Sequence, residues 1–313
     1  MRKISLFLIR ISISVGILLF LFKRVDLNKI IQIISNANKP ILGFVLLLSF
    51  LSYFVAFLRW KMLLTGLRFN LANSSIFKSF CIGLFSNLFF PSTVGGDFLR
   101  CIDLGVRTQE PRRVVASVIL DRISGYSALM VVALLALLLG YKIIDDIAVF
   151  FSLGIILIFL ALILAILFNN FLFQKSTKLL RLFGRMGETL INLRYEIYNF
   201  RSQKRLIVKN FLHSLIIHLS MSFLIYLISR ALGARISPIY FFILVPIISS
   251  ISALPISIAG LGLREASSMY FLTRVGLSGE LALALALLVF FMVFLFGLIG
   301  GIIYVFTFSH RRI

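Results

Sequence analysis

The chain is short of acid. Its 313 residues carry 11 Asp and Glu against 32 Lys and Arg, a formal net charge of +21. It holds only three histidines, two cysteines and one tryptophan, and no polar stretch is long enough to build a soluble domain. Each shortage excludes something. Cys81 and Cys101 show no Cys-x-x-Cys spacing and no neighbouring histidine, so they read as buried thiols without a redox or zinc role. Gly95-Gly96 is not followed by Gly-Lys-Ser/Thr, so it is no phosphate loop. No Ser/His/Asp arrangement and no metal-ligand cluster stands out. His213 and His218 lie five apart, a poor spacing for one helical face, and read as packed side chains. An enzymatic role, a metal and a cofactor are therefore not expected.

What is abundant is hydrophobicity: 60% of residues, with a mean hydropathy of +1.07. Several runs reach the ~20 apolar residues needed to cross a bilayer core. The chain is expected to be all-α and multi-pass, a single polytopic membrane domain over residues 1–313. In a soluble protein such basicity would suggest nucleic acid. Here Lys and Arg lie between apolar runs, where they set topology and meet anionic lipid headgroups. Membrane lipids, not nucleic acid, are the expected partners.

Six spans are read: Ile4 to Phe22 (uncleaved, since no small-residue cleavage site follows), Ile41 to Leu58, Val114 to Gly140, Ile147 to Phe168, Phe211 to Ser229 and Leu281 to Phe308. Arg59, Trp60 and Lys61 close the second and read as an interfacial anchor.

Two further apolar runs are broken, and the breaks share a frame. Pro91-Ser-Thr-Val-Gly95-Gly96-Asp97-Phe-Leu-Arg100 is echoed by Pro255-Ile-Ser-Ile-Ala-Gly260-Leu-Gly262-Leu-Arg264. Proline, a hydroxyl residue, glycine, leucine and arginine hold the same positions in both. None of the other four prolines is followed by glycine at that spacing. Paired Pro/Gly interruptions in two halves of a membrane protein point to a transport site.

Charge placement orients them. The linker 169–210 carries nine Lys/Arg against two Glu and should face the cytoplasm; the loop 141–146 has one Lys and two Asp and should face out. Both flanks of the first break then lie inside and both flanks of the second outside, with both termini cytoplasmic. The breaks become two re-entrant helical hairpins entering from opposite sides, within inverted-repeat halves of approximately 41–140 and 211–308. Against this stand the four Lys/Arg of loop 23–40, which must face out. The alternative for each break is a proline kink in a crossing helix. In 171–205, residues Leu179, Leu182, Phe183, Met186, Leu190, Leu193, Ile197 and Phe200 form one helical stripe, which predicts a single amphipathic helix along the cytoplasmic headgroup layer.

Charge inside a membrane costs at least ~2.5 kcal/mol per residue near the centre, so it pairs or lines a polar path. The candidate substrate-binding set is Pro91, Gly95, Gly96, Asp97, Arg100, Asp121, Arg122, Pro255, Gly260, Arg264 and Glu265. Glycines at a helix break let a ligand approach free N–H groups, and arginine holds phosphate through a bidentate fork. Asp97 and Glu265 either pair with those arginines or receive a cationic headgroup. The competing reading is that these charges are mutual salt bridges locking the hairpins. Asp121 and Arg122 diverge on a helix and must each find a partner on another element.

Asn87 through Asp97 with Arg100, then Ser117-Val-Ile-Leu-Asp121-Arg122, then Pro255 through Arg264-Glu265-Ala266 resemble the transmembrane domain of lysylphosphatidylglycerol synthase/flippases. The resemblance implies a lipid flippase or a role with polyprenyl-linked lipids, moving a phosphate-containing lipid between leaflets of the cell membrane. Two-part members add a cytosolic aminoacyl-transferase domain; with the chain ending at Ile313, that domain is expected to be absent. With no nucleotide motif, transport would be downhill, ion-coupled or driven by the membrane potential. The alternatives are a membrane-embedded enzyme or accessory subunit of lipid-linked glycan or aminoacyl-phospholipid synthesis, and a scaffold docking through 171–205. A homo-oligomer or a lipid-modifying enzyme partner fits either.

Overall fold

A computed structural model describes residues 2–69, 71–90, 95–143 and 146–308. Pro91, the proline of the first break, therefore lies outside the described residues, as do Asp145 and the charged tail. The described residues form thirteen α-helices and one 3-10 turn, with no strand among them. The helices are α1 (Arg2–Phe22), α2 (Leu27–Ser35), α3 (Lys39–Gly66), α4 (Asn73–Ser86), α5 (Gly95–Thr108), α6 (Pro111–Gly140), α7 (Ile147–Phe168), α8 (Asn170–Arg181), α9 (Gly184–Asn199), α10 (Lys204–Ala231), α11 (Pro238–Ser252), α12 (Leu263–Arg274) and α13 (Gly279–Phe308).

Five of these, α3, α6, α7, α10 and α13, are long and apolar enough to cross a membrane. The protein is an all-α, multi-pass membrane protein. α1, read as a sixth span, has 21 residues and rests on α12. Local chemistry explains most boundaries. Asn38 caps α3 by accepting from the Ile41 amide, with Pro40 in the first turn, and α6 opens on Pro111. The charged loop 23–40 holds an element the sequence reading missed: α2, capped by Asp26 and packed on α13 through a buried Ile30.

Hydrogen bonds fix helix directions. The Asn38 amide donates to Ala231 O at 2.9 Å, and Gln203 Nε2 donates to Gly66 O at 3.2 Å, so α3 and α10 run antiparallel. Arg113 Nη2 bonds Leu67 O at 2.9 Å, placing the start of α6 beside the end of α3. These ends define one face of the bundle, which also carries the basic linker. Both legs of the α4–α5 hairpin open on that face, between α3 and α6. The far face holds the end of α6, where Ile239 at the start of α11 packs on Gly140, and where Arg274 at the end of α12 pairs with Asp146 at 2.7 Å. The α11–α12 hairpin therefore enters from the far face. Between them the tips meet: the Ala259 amide donates to Phe90 O at 3.2 Å. Neither break is a kink in a continuous helix.

The order long, short, short, long recurs. Helices α3 to α6 have 28, 14, 14 and 30 residues, and α10 to α13 have 28, 15, 12 and 30. Packing follows the same correspondence: α4 lies on α13 as α11 lies on α6, and each hairpin's second leg packs on the long helix after it.

Two expectations fail here. The stripe in 171–205 is not one helix. The chain turns at Leu182-Phe183, Gly184 takes a positive φ of +56°, and α8 and α9 fold back on one another around Phe173, Tyr195 and Tyr198. The stripe divides accordingly. Ile197 and Phe200 are buried against α3 and α6, while Leu182, Phe183, Met186 and Leu190 are exposed near the turn. Nor is Trp60 an interfacial anchor. It is 0% exposed, its indole donating to Ser117 Oγ at 3.4 Å, because α3 continues to Gly66 and carries Arg59-Trp60 into the bundle.

The Arg274–Asp146 clasp on the far face gives a pH prediction. The Arg274 guanidinium and the Ala148 amide, both bonded to Asp146, hold its carboxyl below the ordinary value of 3.8. A lowered folded value means that the contribution is complete above 3.8 and is lost as pH falls through the depressed value. The clasp is exposed, so the effect is small. Proteolysis of the loop 141–147 in Asp146→Asn should exceed wild type at neutral pH, and the difference should vanish in strong acid.

Candidate functional site

α5 begins at the tip of the first hairpin and places Asp97 and Arg100 one turn apart on its buried side. α6, crossing behind it, supplies Asp121 and Arg122. Their neighbours on the chain diverge, and the structure gives each its own partner. Arg122 Nε lies 2.5 Å from Asp97 Oδ2, and Arg100 Nη2 lies 3.0 Å from Asp97 Oδ1 and 3.5 Å from Asp121 Oδ2. Asp121 is also held from α3, by Arg59 Nε at 2.8 Å and Nη2 at 2.9 Å. Arg59 Nη1 continues to Ser214 of α10 at 3.0 Å. The Arg100 guanidinium covers the Trp60 ring at 4.5 Å. Asp97, Arg100 and Asp121 are 7%, 5% and 3% exposed, so the two carboxylates and Arg100 sit inside the bundle, with Arg59 and the partly exposed Arg122 reaching them from either side.

Arg59 is the participant that sequence reading missed. Its place at the apparent end of a span looked interfacial. The signal that could have found it was an acid in the next long helix without a local partner.

The glycines of the first tip allow close packing of the hairpin legs. A Cβ on Gly96 would stand 2.0 Å from Gly83 O and 2.5 Å from Asn87 Oδ1; one on Gly95 would stand 1.9 Å from Phe90 Cβ. Glycine here lets α5 close against α4, with the Gly96 amide bonded to Asn87 Oδ1 at 2.9 Å. Gly260 has φ +76° and Gly262 φ +84°, a region that side chains avoid.

The second tip is arranged differently. The Gly262 amide donates to Glu265 Oε2 at 2.6 Å, so Glu265, 0% exposed, caps the start of α12 and makes no ion pair with Arg264. Arg264 Nη2 donates to Ala259 O at 3.0 Å, steadying the tip, and its guanidinium stands 5.8 Å from the Phe290 ring centre. Arg264 Nη1 is buried without a hydrogen-bond partner among the described residues. α1 backs this tip, with Ser14 Oγ accepting from the Ile258 amide at 3.2 Å. Pro255 precedes the turn, outside the cavity lining.

One cavity of about 340 Å³ lies between the tips. Asp97, Arg100, Asp121, Arg122 and Arg264 line it together with Arg59, Tyr53 and Asn87, while the remaining wall is largely apolar. Gly95, Gly96, Gly260 and Glu265 shape the hairpins around it without lining it. Asp103 is drawn off toward Arg107 at 2.8 Å and the Ser79 hydroxyl. His218 lies near Gly125 of α6, and His213 Nδ1 is bonded to Lys209 O on its own helix.

Residues 7–301 match the family model described as Lysylphosphatidylglycerol synthase TM region. No curated protein and no solved structure matches the chain.

Proposed function

The chain belongs to the lysylphosphatidylglycerol synthase TM-region family, and on that premise we propose that it moves a phosphate-containing lipid between leaflets. The observation that carries this reading is the meeting of two oppositely entering hairpins over one charged cavity. A volume of about 340 Å³ suits a polar headgroup and leaves the acyl or prenyl chains in the bilayer. Rocking of one hairpin against the other opens the cavity alternately to the two faces, as in transporters built around broken helices. The setting is the cell membrane, with both termini and the α8–α9 pair on the cytoplasmic side, following the basic residues.

The membrane potential favours one class of cargo. Moving a net −1 lipid outward across an inside-negative membrane releases about 2.3 kcal/mol per 100 mV, and moving a net +1 lipid outward costs as much.

The protein acts as a transporter rather than an enzyme. Leaflet accessibility of labelled lipid in proteoliposomes tests this. Arg100→Ala and Arg264→Ala should each remove most headgroup movement while folded protein persists. Full rates in both refute the proposal, and metal-dependent turnover of the lipid by purified protein replaces it with an embedded enzyme.

A further inference from the structure

The two copies of the Pro/Gly frame place Arg100 and Arg264 at corresponding positions, yet only one of these arginines is neutralised. Six residues after its proline the first copy carries Asp97, which binds Arg100 at 3.0 Å; the second carries Leu261 there. Glu265 does not substitute. It follows Arg264 directly on α12, where neighbouring side chains diverge, and it is turned onto the Gly262 amide. Arg59, Arg100 and Arg122 are all engaged by Asp97 and Asp121. Arg264 keeps Nη1 buried, without a hydrogen-bond partner, on a side chain that lines the cavity.

Resting on the transport reading, we infer that Arg264 receives the phosphate oxyanion of a net-anionic headgroup, and that the site disfavours zwitterionic and aminoacylated lipids. The network of the first hairpin is a positioning scaffold. It holds the opposite wall positive, because it joins three guanidinium groups to two carboxylates. With Arg264 the cavity lining carries four arginines against two aspartates, and it stays net positive even when the nearby Glu265 carboxylate is counted. An oxyanion completes the bonding of the buried Arg264 Nη1 and offsets this excess. A zwitterionic headgroup, net neutral, leaves the excess uncompensated, and an aminoacylated one, net +1, adds to it in a medium of low dielectric.

Trp60 supplies the readout. It is the chain's one tryptophan, buried beneath Arg100, whose side chain lines the cavity. Purified protein in neutral detergent is titrated with short-chain phosphatidylglycerol, phosphatidylcholine, lysylphosphatidylglycerol and inorganic phosphate, following Trp60 emission. Phosphatidylglycerol is expected to bind about tenfold or more tighter than the other two lipids. Arg264→Gln should lose about that factor, as expected for a hydrogen bond to a charged group, and Arg264→Lys should recover part of it.

Equal or tighter binding of lysylphosphatidylglycerol overturns the charge assignment. Unchanged binding in Arg264→Gln overturns the residue assignment. Inorganic phosphate competing at the lipid's own concentration overturns the lipid and assigns the site to a free anion. Selective binding without movement in proteoliposomes leaves Arg264 assigned and removes the transport reading. Movement at wild-type rate in Arg264→Gln does the reverse.

Discussion

Asp121→Ala is expected to cost about 3–5 kcal/mol of stability, because it strands buried charge. Asp121 is 3% exposed and is the carboxylate that holds Arg59, with Arg100 beside it at 3.5 Å. Without it Arg59 keeps a serine hydroxyl from Ser214 but no counter-charge on α6, while Asp97 is left facing three arginines. The loss should appear as a large fall in thermal unfolding temperature in detergent. A double variant, Asp121→Leu with Arg59→Met, removes both charges and should recover most of the stability, since an apolar pair of similar volume replaces a buried ion pair at little net cost. Transport should stay low in both. If the single variant unfolds at the wild-type temperature, the network is not buried as described.

Gly96→Ala is expected to open the first hairpin. Its new Cβ would lie 2.0 Å from Gly83 O and 2.5 Å from Asn87 Oδ1, and the nearer contact is backbone, which cannot rotate away. The legs must part by roughly 1 Å to restore van der Waals distance. That costs about 1–3 kcal/mol, as overpacking does, and weakens the Gly96–Asn87 bond at 2.9 Å. It also displaces Asp97, the next residue, from Arg100 and Arg122. Headgroup movement should fall far more than stability does. Gly43 and Gly154 are the controls, with nothing within 4 Å of a built Cβ; alanine at either should leave transport unchanged and raise helix stability by up to ~1 kcal/mol. Equal effects at all three positions would show that the α4–α5 approach is not tight.

Legibility followed range. The breaks at Pro91 and Pro255 were readable because proline, glycine and a run too short to cross are local signals, and the alternation of basic and acidic loops oriented them. The need of Asp121 and Arg122 for separate partners was readable from helix geometry alone. The partners were not. Arg59 meets Asp121 only because α3 and α6 pack antiparallel, which no local window encodes. The stripe in 171–205 was correct as a periodicity but could not show that the chain reverses near Gly184, since two helices in line and two folded back share one pattern. α2 escaped notice because nine residues make too short a window for periodicity against a charged background.

By itself the sequence determined a multi-pass helical membrane protein with two interrupted helices and a few charges that cannot stay unpaired, because hydropathy, proline chemistry and the cost of buried charge act along the chain. Only the tertiary structure decided how those charges divide. It joined Arg59, Arg100 and Arg122 to Asp97 and Asp121, turned Glu265 onto a backbone amide, and left Arg264 without a carboxylate partner among the described residues. That division depends on which helices touch, and burial between packed helices is what makes a missing counter-charge matter.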